Sequence, residues 1–203
     1  MERRSSWNYG GTPGLERGAE LHEPSLGVGS GGRSPTWRPI GGIGFSFEGA
    51  TAPDPSFGPL VGAGDLAVLS YLPGLGTSAL RAAALASDFD ALVAQAAGRP
   101  IALTRVGAPS SVAIGSSPEQ QRLFYEALFD ALEPRRQAFL LVDAFELHDP
   151  TPDACQALAA DQGEPPSGPF SDYACSLGLF EVGASAKPAW DEVLQGTAKF
   201  ASP

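Results

Sequence analysis

Basic residues are scarce in this chain, and they never gather. Its 203 residues hold 13 Lys and Arg against 23 Asp and Glu, a formal charge of −10. Binding nucleic acid requires a basic patch that displaces counterions from phosphates, so a nucleic-acid partner is excluded. The acidity itself bears on solubility, not on fold. Long apolar runs are scarce too. No stretch approaches the roughly 18 consecutive apolar residues of a membrane span, and no membrane partner is expected. The opening MERRSSWNYGGTPG carries charge but no apolar segment, so it does not read as a signal peptide. Two His and two Cys without a close-spaced ligand pair exclude a zinc site of the usual kind, and no metal is expected. The glycines of SLGVGSGGRSP precede no helix and no Gly-Lys-Ser/Thr follows them. That removes a phosphate-binding loop, and no cofactor is expected.

What the chain does have is 43% hydrophobic residues at a mean hydropathy of −0.04, enough for a core in a water-soluble domain. Cys155 and Cys175 flank the polar, Pro/Gly-rich stretch QALAADQGEPPSGPFSDYA, which reads as a loop. A disulfide closing it would contribute on the order of 3 kcal/mol by restricting the unfolded chain. It would also require an oxidising compartment, at odds with the lack of a signal segment. Two unpaired thiols remain the other reading.

The texture divides the chain in two. Residues 1–38 are rich in Gly, Pro, Ser and Arg, show no sustained period, and cannot bury enough apolar surface to offset their ordering entropy. They are expected to be disordered. From residue 39 onward, strand and helix patterns alternate. Ile40–Phe47 reads as a strand weakened by its glycines, with a helical turn around Phe57–Val61. Asp65–Leu72 is a near-continuous apolar run stopped by Pro73-Gly74, as expected of a strand buried on both faces. Ser78–Ala97 reads as helical with a break near Ser87, whose side chain would cap a second helix, and Gly98 ends it. Ile101–Val106 is a strand. Ser117, Pro118 and Gln120 form a capping-box start. Leu123, Phe124, Ala127, Leu128, Ala131 and Leu132 then share one helical face up to Pro134. Phe139–Phe145 is a second apolar strand, and Lys187-Pro188-Ala189-Trp190 opens a last helix with Trp190, Val193 and Leu194 inward. Such alternation implies parallel strands under covering helices, an α/β fold. A complete (β/α)8 barrel takes about 250 residues, more than this chain has.

Four stretches resemble one family. RPIALTRVGAPSS (99–111) is similar to the segment that carries the catalytic glutamate in barrel-fold retaining glycoside hydrolases. DLAVLSYLPG (65–74), SSPEQQRLFYEAL (116–128) and GLFEVGASAKPAWDEV (178–193) resemble further segments of the same enzymes, in the same order. As a set they resemble the C-terminal half of endo-glucanase, mannanase and galactanase barrels. The resemblance implies that residues 39–203 form a half of a TIM-type β/α barrel, its strands corresponding to the fifth to eighth. It also implies an extracellular or periplasmic full-length relative.

Retaining hydrolysis needs two carboxyl groups about 5–5.5 Å apart. In this chain Arg105 occupies the expected nucleophile position, and a guanidinium neither attacks an anomeric carbon nor shuttles a proton. The family's acid/base Glu lies in an Asn-Glu motif, which is absent here. No catalytic residue is therefore assigned. Tyr71 matches the family tyrosine that orients the nucleophile by a hydrogen bond, and with that carboxylate lost, packing at the strand mouth is the equal alternative. Asp143, Glu146 and Asp149 fall at or beyond the end of the last strand, where barrel active sites lie. His148 adjoins Asp149, which invites a dyad reading, though no Ser or Cys nucleophile motif accompanies it. Tyr71, Arg105, Asp143, Glu146 and His148 form the expected substrate-binding set. Three functions compete: a half-barrel without glycosidase activity, an active glycosidase using another acid pair or a partner chain, and a non-catalytic carbohydrate-binding module. An incomplete barrel also keeps open sheet edges, through which self-association is expected.

Overall fold

In the computed structural model, residues 44–46, 59, 64–73 and 78–201 are described. The expectations for residues 1–38, and for the turn near 57–61 apart from Pro59, lie outside them.

Four strands, β1 (Gly44–Ser46), β2 (Ala67–Tyr71), β3 (Ile101–Val106) and β4 (Phe139–Ala144), lie side by side in chain order, and every neighbouring pair is parallel. Parallel neighbours require crossovers, and among the described residues helices supply two of them. Helix α1 (Ser78–Ala96) joins β2 to β3, and α2 (Pro118–Leu132) joins β3 to β4. Beyond β4 come α3 (Pro152–Asp161), α4 (Pro169–Ala174) and α5 (Ala189–Ala201). Among the described residues the sheet does not close. The fold is α/β, an open part of a barrel.

The core lies between sheet and helices. Leu85, Phe89, Leu92 and Ala96 recur on one face of α1 and are all buried. Fully burying each of the larger ones contributes roughly 1.5–3 kcal/mol. The Phe89 ring meets Tyr71 edge-on at 5.5 Å between centroids and Phe139 at the same distance. Helix α2 packs between α1 and α5. Its start is as expected: the Ser117 side chain accepts from Gln120 N at 3.1 Å, with Pro118 in the first turn.

Several local expectations are corrected. Helix α1 runs unbroken through Ser87, whose hydroxyl donates back to Ala84 O at 2.8 Å instead of capping a new helix. A serine inside a helix satisfies its hydroxyl this way when apolar packing on the other face keeps the helix intact. On α2, Leu123 is 44% exposed, whereas Tyr125, left out of the expected stripe, is fully buried. On α5, Leu194 is 50% exposed while Val193 points inward. The stretch between the cysteines is no plain loop, since it carries the end of α3 and all of α4. Thr151 starts α3 by accepting from Ala154 N at 3.4 Å, and a proline occupies the first turn of each helix. Cys155 and Cys175 are joined by a disulfide with their Cα atoms 5.8 Å apart, so the two helices are stapled together.

Candidate functional site at the strand ends

Side chains alternate across a strand, which divides the sheet residues between two faces. On β2, Ala67, Leu69 and Tyr71 are buried toward the helices, and Val68 and Ser70 lie half-buried on the other face. The register pairs Ser70 with Arg105 and Tyr71 with Val106. Arg105 therefore leaves the sheet on the face away from the core. Asp143 does the same on β4, since its neighbours Val142 and Ala144 pack against the core. Arg105 is exposed, and its guanidinium carbon lies 5.5 Å from the Phe145 ring centroid, a cation–π distance.

Tyr71 stands elsewhere. It is 1% exposed, stacks on Phe124, and its hydroxyl donates to Asp88 Oδ2 at 2.5 Å. Its ring belongs to the helix-side core, on the opposite face of the sheet from Arg105.

Glu146 follows β4 in the left-handed conformation, with φ of 64°. A non-glycine residue there carries backbone strain, and such strain concentrates at functional positions. The side chain is half-buried, and its Oε2 is buried without a hydrogen-bond partner. Burial first, and the negative charge of Asp149 second, push its carboxyl up to about 7, with Lys187 pulling the other way. A carboxyl in that range holds or releases a proton near neutrality, as a general acid must. His148 is exposed, its ring 5.1 Å from Phe180, which in turn lies 5.0 Å from Trp190. It forms no dyad with Asp149, because that carboxylate is engaged by another group.

The engaged group is Lys187, only 4% exposed, whose Nζ lies 2.7 Å from the Asp149 carboxylate. The same Nζ donates to Ser110 Oγ at 2.9 Å. Asp149 also accepts from Gly178 N at 2.9 Å, and Ser110 Oγ donates to Ser176 O at 3.0 Å. Gln121, fully buried on α2, directs its amide nitrogen at the carbonyls of Ala108, Leu177 and Gly178 at 2.9–3.2 Å. This network ties the loops after β3 and β4 to the segment leading into α5, and so shapes the rim on which Glu146 sits. Gly178 is required at its centre, because a Cβ there would collide with the backbone of His148 and Asp149.

Sequence reasoning named Asp149 but missed Lys187, Ser110, Ser176 and Gln121. Only Gln121 left a signal, as a polar residue on the apolar stripe it shares with Phe124, Tyr125 and Leu128. Among the described residues no group of three or more His, Cys, Asp or Glu is placed to hold a metal ion. A concavity of about 290 Å³ opens beside the disulfide, lined in part by Ser111, Gln156, Ser171, Asp172 and Ser176. It does not include Arg105, Asp143 or Glu146.

No protein-family model and no curated protein matches the chain. Solved structures do. A GH5_18 enzyme from Streptomyces cattleya, determined with GlcNAc, matches at 20% identity and a TM-score of 0.54, over 78% of this chain and 37% of its own. A β-glucuronidase from Ruminococcus gnavus, determined with uronic isofagomine, matches at 16% identity and a TM-score of 0.50, over 77% of this chain and 25% of its own. This chain thus spans less than half the length of either. At such identities the likeness is one of fold, and what it defines is part of a β/α barrel of the kind these two enzymes contain.

Proposed function

We propose that this chain is a glycoside-hydrolase-like part-barrel that does not itself cleave glycosidic bonds, and whose strand-end face binds carbohydrate. One observation carries the reading: Arg105 emerges at the end of β3 on the exposed face, where the sequence resemblance calls for the nucleophilic carboxylate. A permanent cation there removes one of the two carboxyl groups that retaining hydrolysis requires. Arg105, Asp143, Phe145 and Glu146 offer donors, acceptors and a ring face for sugar hydroxyls and sugar faces. The expected result is no turnover of aryl β-glycosides or β-linked polysaccharides above background, together with saturable glycan binding in calorimetry. Arg105→Glu is expected to leave turnover at background, because a second carboxylate of the family pair is still missing.

The half-buried carboxyl of Glu146, with its Oε2 buried and unpartnered, favours a second reading, an enzyme that uses an acid pair of its own. Turnover that disappears in Glu146→Gln would establish this reading and overturn the first.

A further inference from the structure

We propose that the strand-end face takes an acidic sugar, the Arg105 guanidinium pairing with the carboxylate of a uronic acid residue. The inference deepens the carbohydrate-binding reading above and rests on it.

Three observations carry it. The first is how Arg105 reaches that face. Strict alternation along β3 would place it with Ile101 and Leu103, both fully buried in the core. Instead Leu69 of β2 pairs with Leu103 and Ser70 pairs with Arg105, which leaves Thr104 as an extra residue, a bulge. The pairing of β3 with β4 is irregular over the same stretch, between Leu103 and Val106. The bulge turns Arg105 outward and gives the core side to Val106, which is fully buried. Bulges that re-aim a side chain are frequent beside active sites.

The second is the state of the guanidinium. Arg122 pairs with Glu119 and Glu192, Arg135 with Asp90, and Lys187 with Asp149. Arg105 meets no carboxylate within ion-pairing distance among the described residues, although acids outnumber bases 23 to 13 in the chain. The Phe145 ring, 5.5 Å from its guanidinium carbon, steadies the cation without accepting from its N–H groups. That leaves a planar fork of donors, which a carboxylate matches with two parallel hydrogen bonds.

The third is the charge around it. Asp143 is exposed on the neighbouring strand, and Glu146 sits on the same rim. Two carboxyl groups beside one cation penalise a doubly charged phosphate, because like charges brought together cost free energy. A pyranose with one carboxylate meets the arrangement: its anion goes to Arg105 and its hydroxyls donate to Asp143.

The test is calorimetry of the full chain with matched pairs of oligosaccharides. β-1,4-glucan, β-1,3-glucan and β-1,4-mannan oligomers are each compared with the same oligomer oxidised at C6 to the uronate. For the backbone that binds, the oxidised form is expected to bind about tenfold tighter or more. Arg105→Gln should abolish that preference, and Arg105→Lys should retain part of it, with circular dichroism unchanged. The matched comparison on the unsubstituted chain does not depend on a variant folding. A neutral oligomer bound as tightly as its oxidised form would overturn this inference and leave the carbohydrate reading standing. Absence of binding by every oligomer would overturn both. A preference for the uronate that survives Arg105→Gln would overturn the assignment to Arg105. An equal gain from a C6 sulfate ester would replace the uronate with a sulfated glycan, and so would also overturn the proposal.

Discussion

Glu146 and Arg105 both reach the rim of the strand ends, but their environments treat charge in opposite ways. Arg105 keeps its charge in the open, spread over an aromatic ring. Glu146 is asked to carry charge where burial and Asp149 disfavour it. Its folded value of about 7 lies above the ordinary 4.5, so folding favours the protonated form. The linked stability is full below about pH 4.5 and is lost as pH rises through about 7. Glu146→Gln is therefore expected to raise stability at pH 8 by about 1 kcal/mol, once the shift of this half-exposed group is discounted for solvent screening. At pH 4 it should change little. Urea unfolding at the two pH values checks both, and equal effects at both would show that the carboxyl does not titrate with folding. The sequence placed Glu146 at the right end of the sheet. It could not show the left-handed backbone or the buried, partnerless oxygen, because both depend on what the following loop packs against.

At the scale of elements, the chain relies on close approach. A Cβ at Gly196 of α5 would run into the Phe129 ring of α2. Gly196→Ala should therefore lower stability by about 1–3 kcal/mol despite the better helix propensity of alanine. Gly183→Ala, with open space around it, should stay within about 0.5 kcal/mol. Thermal unfolding of the pair tests the contrast, and equal midpoints would contradict the packing of α2 on α5. Lys187 gives a sharper case. Replacing it with Met leaves the Asp149 carboxylate, 13% exposed, without its ammonium. The expected loss is about 3–5 kcal/mol, because an uncompensated charge stays behind. Adding Asp149→Leu should recover part of that loss, and a double variant no better than Lys187→Met alone would refute the pairing. Local sequence signals served the elements unevenly. The Ser117 start, the bounds of β3 and the inward side of Val193 followed from capping and periodicity. The continuity of α1 through Ser87 and the burial of Tyr125 did not, because each is decided by the layer packed against the helix.

At the scale of the whole molecule, the disulfide joins what the sheet alone does not organise. Residues 150–176 sit beyond β4, and the bond between α3 and α4 closes a span of 20 residues. Ser176, next to Cys175, accepts from Ser110 N at 2.9 Å and from the Ser110 hydroxyl, so the staple also steadies the rim network. Replacing both cysteines by serine is expected to cost about 2–4 kcal/mol. Hydrogen exchange should rise at Ser110 as well as within α4, and a change confined to α4 would show that the network stands without the bond. The bond also points to an oxidising environment for the folded chain. By itself the sequence determined the α/β class, the parallel order of strands and helices and the resemblance to part of a glycoside-hydrolase barrel. These follow from period, capping and residue identity, which are local properties. Only the tertiary structure decided that Tyr71 turns into the helix-side core while Arg105 and Asp143 face away from it. It alone decided that Asp149 is committed to Lys187 and not to His148, and that Cys155 reaches Cys175. Those outcomes depend on which face of a strand the helices cover and on which distant loops meet, and chain spacing encodes neither.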